Sequence, residues 1–270
     1  MSDLNPHREQ MADESMVRTL EAQARAIWPQ ESRLIRGYGL AEDIRILDVG
    51  CGTGEGASRL AEFFPRAEVL GVDVLDVSLE RARARHRHLA PRLRFENQSA
   101  FELREPGDRY DLTVNRHMLH SVPRADRVIA ELVRVTRPGG RLHIIPEDYG
   151  MLHFARVAPD PRDFWHEAAV FGDSTGTDLF IGRHIYGLLA DLHLTAISID
   201  YVIVDTLRVP RETFAGIITA WRDGYSEAAA RVTRWSEPEV RAYFDRMIAN
   251  IRDPRGYAVW MVPVVSAIVP

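Results

Sequence analysis

There is no lysine in this chain: every one of the 34 Lys+Arg residues among its 270 is arginine. Lysine Schiff bases, lysine general bases and the phosphate-gripping lysine of a P-loop are therefore excluded. A single cysteine, Cys51, excludes an internal disulfide and any site built from several thiolates. No unbroken apolar segment approaches the roughly 18 residues that span a bilayer, so no membrane partner is expected. The polar start "MSDLNPHREQMADE" lacks the apolar centre of a signal peptide, and a cytoplasmic location is the expectation. A net charge of -5 argues against nucleic acid as a partner. One basic cluster, "RARARHRHLAPRLR" at 81–94, has arginines on more than one side and no interleaved aromatic ring; it reads as a solvated helix face.

What is present is ordinary for a globular α/β protein, 46% hydrophobic and 27% charged. Residues 7–31 read as a helix, with Met16, Leu20, Ala24 and Ile27 on one face and Pro29 helping to end it. Strand-like stretches follow at 44–49, 67–74, "RLRFENQ", 110–115 and "RLHIIPE", with helical stretches between them. The helix at 124–136 is expected to stop at "RPGG". Such alternation predicts right-handed βαβ units, a parallel sheet and ligands at the strands' carboxyl ends. After Glu147 the pattern loosens into a helical "GTDLFIGRHIYGLLADL", a strand at 195–206, two amphipathic helices near 211–223 and 237–252, and a closing strand. Ser236 and Glu239 stand at capping-box spacing before the second of these helices.

The densest signal is "RILDVGCGTGEGASRL" at 45–60, with glycine at 50, 52, 54 and 56. Glycine costs backbone entropy, so something must approach this turn closely. A dinucleotide pyrophosphate uses G-x-G-x-x-G. Here the third glycine comes one place early and Glu55 follows it, where its charge would repel a phosphate. A ligand bearing a sulfonium and an ammonium tolerates both Asp48 and Glu55.

"ILDVGCGTG" resembles the first motif of the class I, Rossmann-like S-adenosylmethionine-dependent methyltransferases, and the likeness extends over 44–147 in the family's order. It implies a doubly wound, mostly parallel sheet with an antiparallel last strand, and S-adenosyl-L-methionine as cofactor. It places Asp48, Gly50, Cys51 and Gly52 beside the methionine portion and ribose. Asp73, with Val74 after it, falls where the family grips both ribose hydroxyls, since a carboxylate accepts two donors. "QSAFEL" sets Ser99, Ala100 and Phe101 beside adenine; many relatives have aspartate at the position of Ser99. "YDLTVNRHMLH" resembles the fourth-strand motif, with Asn115 and Arg116 lining the methionine end. "VTRPGGRLHII" is the family's usual approach to the fifth strand.

The domain expectation is an N-terminal helical lid at 1–40 and a methyltransferase domain at 41–270, with a helical cap near 207–255. Glu147, Tyr149 and His153 follow the fifth strand and are the candidate catalytic groups, able to orient a substrate or take a proton. His117 and His120 read first as hydrogen-bonding groups at a helix start. All five tryptophans, with Tyr149, Phe154, Phe164, Phe171, Phe180, Tyr186 and Tyr225, lie outside 44–148 and suggest an apolar pocket for a small planar molecule. The stretches "MADESMVRTLEAQARAIWPQE" and "PEDYGMLHF" resemble bacterial natural-product methyltransferases, including those acting on indole carbons. Methylation of RNA or protein, and a cofactor-bound cyclase or regulator without methyl transfer, are the alternatives. The oligomeric state is open, a homodimer included.

Overall fold

Five apolar strands, β1 (Arg45–Val49), β2 (Glu68–Asp73), β3 (Leu93–Asn97), β4 (Tyr110–Arg116) and β5 (Thr136–Ile145), pair in parallel in the order β3-β2-β1-β4-β5. The computed structural model describes residues 4–155, 157–158 and 161–270; the side chain of Phe171 lies outside the described residues. Val49 stands opposite both Val72 and Asn115, and Asp73 opposite Asn97, so these strands end level and their following loops share one edge.

Both faces of this sheet are covered, which is why its strands are apolar on both sides. Ile46, Leu112 and Val114 pack against α3 (Glu55–Phe63) and α4 (Asp76–Arg85). Leu47, Val49 and Ile144 pack against α5 (Ala125–Val135) and α7 (Ile185–Asp191). The strongly two-sided α5 ends before the glycines expected to stop it: β5 begins at Thr136 and runs through "RPGG". Gly140 is needed there because a Cβ would meet the carbonyl oxygen of Arg137 at 2.7 Å.

The sheet continues antiparallel. β8 (Ala258–Ile268) pairs with β5 and with the short β6 (Leu152–Phe154) along one side and with β7 (Thr195–Asp205) along the other. β6 and helix α6 (Pro161–Thr175) carry weak patterns and were not expected from the sequence. A separate aromatic-rich core joins this part of the sheet to α6, α8 (Arg211–Val232) and α9 (Glu237–Arg252), centred on Phe164, Phe214, Trp221, Phe244 and Trp260. Helix α8 runs well beyond the expected 223. Helix α9 opens with the backbone N–H of Ser236 donating to Glu239 Oε2 at 2.8 Å.

The N-terminal helix differs most from expectation. A short α1 (Arg8–Ala12) precedes α2 (Glu14–Gly37), whose first turn is capped by Asp13 accepting from Ser15 N at 2.8 Å. Pro29 lies inside α2 and does not end it. Burial of Ile35 and of the ion-paired Glu31 beyond that proline, with Ile27 before it, outweighs its cost of about 3 kcal/mol. Gln30 of α2 also pairs with the backbone of Ile203, donating at 2.8 Å and accepting at 3.1 Å, and so occupies part of the outer edge of β7. The C-terminal half of α2 therefore belongs to the body of the fold, while its N-terminal half with α1 lies over the sheet's carboxyl edge. No helix among the described residues is long and apolar enough to cross a membrane.

Candidate active site

The loop after β1 turns on Gly50, Gly52 and Gly54 at φ of 76°, 51° and 80°, a region that side chains disfavour. The molecule's own side chains crowd it. A Cβ on Gly50 would lie 2.6 Å from Met118 Sδ, and one on Gly52 2.8 Å from Leu20 Cδ1 of α2. A cavity of about 250 Å³ opens beside this loop, walled by the glycines, the ends of β2 and β4, and residues of α1 and α2.

Asp73 lines the cavity, its Oδ2 accepting from Gly52 N at 2.9 Å and its Oδ1 from Leu75 N at 3.0 Å. Burial raises its pKa, and those backbone donors counter part of the rise. Val74, Ser99, Ala100 and Phe101 continue the wall, with Ser99 Oγ accepting from Phe101 N at 3.3 Å. Asp48 and Cys51 reach only a smaller pit of about 30 Å³ beside the cavity, shared with Gln23 and Arg116. Burial pushes Asp48 up to about 6 although Arg116 pulls the other way. Burial also raises the Cys51 thiol well above its ordinary value, which leaves it a packing residue. Asn115 corrects the expectation: it lines neither space, because its Nδ2 donates to Val49 O at 2.8 Å and ties β4 to β1.

Arg116 does reach the cavity, held from behind by a group the sequence reading passed over. Glu31 of α2, 0% exposed, has its Oε1 3.3 Å from Arg116 Nη1 and 3.1 Å from His143 Nε2. Burial alone would raise its pKa, but Arg116 and the His143 hydrogen bond hold it at about 2. The legible signal was an acid at i+4 from Ile27 and i−4 from Ile35, in the middle of an apolar stripe.

Among the three candidate catalytic residues the structure separates one. His153 lies in β6 between Leu152 and Phe154, both packed on the aromatic core; the two-residue alternation of a strand turns it to the other face, and it does not line the cavity. Glu147 does line it, fully buried, with Oε1 bonded to His117 Nδ1 and Oε2 without a hydrogen-bond partner. Tyr149 lines it as a wall, its ring stacked on Trp165 at 4.8 Å and edge-on to Trp221 at 5.4 Å. Burial carries its hydroxyl well above the ordinary phenol range.

His117 and His120 belong to the same group. His120 Nε2 lies 3.5 Å from Tyr149 OH, and burial lowers its pKa to about 4. His117 sits at φ 54°, its backbone N–H bonded to Ile145 O at 2.9 Å, so the chain turns sharply to present the ring beside Glu147 and Trp260. Past His120 and Tyr149 lies an aromatic recess of about 60 Å³, lined by Phe164, Trp165, Trp221, Tyr225 and Phe244. No residue of the 81–94 arginine run lines the cavity. Arg81 and Arg85 instead pair with Glu14 and Glu21 of α2, at 3.2 and 3.3 Å.

Comparison with known proteins bears on the family and the fold. Residues 46–140 match the family described as a methyltransferase domain. The chain is 30% identical to trans-aconitate 2-methyltransferase of Deinococcus radiodurans over 168 residues, covering 59% of this chain and 63% of that one. It thus spans less than two thirds of that curated relative's length. In fold it is similar to phosphoethanolamine N-methyltransferase 2 of Haemonchus contortus (TM-score 0.57, 18% identity, 90% of this chain and 53% of that chain). It is similar in the same way to the [4+2]-cyclase SpnF (TM-score 0.54, 23% identity, 92% and 85%).

Proposed function

We propose that this chain, which belongs to the class I S-adenosylmethionine-dependent methyltransferases, transfers a methyl group to a small aromatic or apolar molecule held in the recess beyond Tyr149. The observation that carries this reading is continuity: His120, Tyr149, Trp221 and Tyr225 line both the glycine-loop cavity and the aromatic recess. A donor and an acceptor molecule would therefore meet where these four residues stand, within a cavity whose wall also includes His117 and Glu147.

The residues present fit the cofactor. Asp73 keeps lone pairs for two ribose hydroxyls, and Ser99, Ala100 and Phe101 offer a wall for adenine. The methionine end carries an ammonium and a carboxylate. The pit offers acidic Asp48 beside Gln23 for the first, and Arg116, ion-paired from behind to Glu31, for the second. Bound there, S-adenosylmethionine supplies a methyl group open to in-line displacement. The protein's part is alignment and the exclusion of water, and for exclusion α1 and the first turns of α2 act as a lid.

Small molecules of several kinds fit this description, the indole carbons of natural products among them. The deciding experiment is incubation with methyl-labelled cofactor and a panel of indoles, phenols and aliphatic acids. Label is expected in an aromatic acceptor. Cofactor binding with no label in any acceptor would favour the second reading, a cofactor-bound cyclase without methyl transfer; a [4+2]-cyclase shares this fold. Replacing Glu147 or Tyr149 singly should lower turnover and leave cofactor affinity nearly unchanged, whereas His153→Ala should stay near wild type, read by steady-state kinetics beside calorimetry.

A further inference from the structure

We propose that His117 Nε2 receives a ring N–H or phenolic O–H of the substrate and takes that proton as the methyl group arrives; this rests on the methyltransferase reading above. Glu147 Oε1 is bonded to His117 Nδ1. A carboxylate only accepts hydrogen bonds, so Nδ1 carries the hydrogen and, in the neutral ring, Nε2 carries a lone pair. His117 lines the cavity with its side chain 8% exposed. Its Nε2 has no hydrogen-bond partner among the described residues and is not among the polar atoms sealed from solvent, so that lone pair faces the cavity.

The neighbours leave few other acceptors for a substrate proton. Glu147 Oε2 is sealed, and His120 Nε2 is turned to Tyr149 OH. The left-handed backbone at His117 is a conformation a non-glycine residue holds at some cost, and it is kept where it aims this ring. Across the cavity, Tyr149 and Trp221 supply flat faces for the ring that bears the N–H or O–H.

The proton balance is complete with these groups. The electron pair of the N–H or O–H bond passes to the heteroatom or, through conjugation, to a ring carbon. A bond from that atom to the methyl carbon forms while the methyl–sulfur bond breaks, its pair remaining on sulfur. The proton is held at His117 Nε2, and the resulting imidazolium keeps its Nδ1–H on Glu147. His117 is thus a catalytic residue and Glu147 a positioning residue that sets which nitrogen faces the substrate.

The test uses three bicyclic probes of nearly equal shape: indole, 1-methylindole and benzofuran. Their affinities for the protein saturated with S-adenosylhomocysteine are measured by ligand-observed NMR titration. Indole should bind about five- to tenfold more tightly than the other two, the weight of one hydrogen bond. His117→Phe, which keeps an aromatic ring and loses the nitrogen, should bring that ratio near one. Glu147→Gln should shrink it, because an amide can also donate to Nδ1 and reverse the ring's tautomer. In the wild-type protein, which depends on no variant folding, the bound indole N–H resonance should move downfield. Equal affinities of the three probes in the wild-type protein would overturn the assignment of His117 alone. Failure of all three to bind, with S-adenosylhomocysteine still bound, would overturn it together with the aromatic-substrate reading.

Discussion

Asp73 accepts from two backbone N–H groups and closes the loop onto the end of β2, so its replacement acts on both the turn and its ligand. Asp73→Ala should weaken cofactor binding by about 1–3 kcal/mol, the range for polar groups left without a partner, as calorimetry would show. A second residue-level expectation concerns acid. Burial lowers His7 and His120 from 6.5 to about 4; in His120 it outweighs the pull of Glu147. The unfolded chain takes up these protons near pH 6.5 and the native chain only near pH 4. Stability is therefore full above 6.5 and drains as the pH falls between those values, on the order of 2–3 kcal/mol for each histidine. Asp48, raised to about 6 chiefly by burial, works in the opposite sense over 6 to 3.8 and offsets part of the loss. The melting temperature should fall from pH 7 to pH 4.5, and His120→Leu should flatten that fall. Placement on the cavity wall was legible at this scale where a motif pointed to it, as with Asp73 and Phe101. It was not where a side chain's direction decided: Asn115 spends its amide on β1, and His153 follows Glu147 closely in sequence but lies in β6 and faces away.

At the scale of elements, strands with apolar runs were readable to within a residue or two, since burial on both faces writes them plainly, except β5, which begins at Thr136 and not at the expected Arg141. Helix ends were less so. Local chemistry at Pro29 and "RPGG" argued for stops that packing overrode in α2 and made redundant in α5. The lid proposal belongs here, and it is narrower than residues 1–40. Cutting to Glu31 would remove Ile27 and the partner of Arg116 and His143, so it would damage the core. Removing only residues 1–12 takes away α1, none of whose residues is buried, and with it one buried side chain, His7, which lies against Tyr225. That truncated protein should melt within a few degrees of the full chain and release S-adenosylhomocysteine faster, as stopped-flow displacement would measure. An unchanged release rate would make α1 a passive wall. The pairs Arg81–Glu14, Arg85–Glu21 and Arg18–Asp223 hold the start of α2 from both sides, and each is exposed enough for salt to loosen it.

For the molecule as a whole, the parallel half of the sheet and its ligand edge followed from alternation of elements, whereas the aromatic half did not. Rings from α6, α8 and β8 meet only through long-range packing, and no local pattern records which will form the recess and which the core behind it. Helix α2 spans both halves, and the proline within it has a mechanical meaning. Pro29 offers no N–H to the carbonyl of Arg25, so the helix can flex there without rupturing a bond that the rest of its length must keep. On one side Gln30 and Glu31 are moored to Ile203, Arg116 and His143. On the other, 14–28 form an arm about 22 Å long at 1.5 Å per residue, carrying Leu20 and Gln23 against the cavity. Under the lid proposal, a swing of about 20° at the proline would displace the tip of that arm by about 8 Å, wide enough to admit a flat ring, while the moored half stayed still. The proposed door and its post would then be one continuous helix.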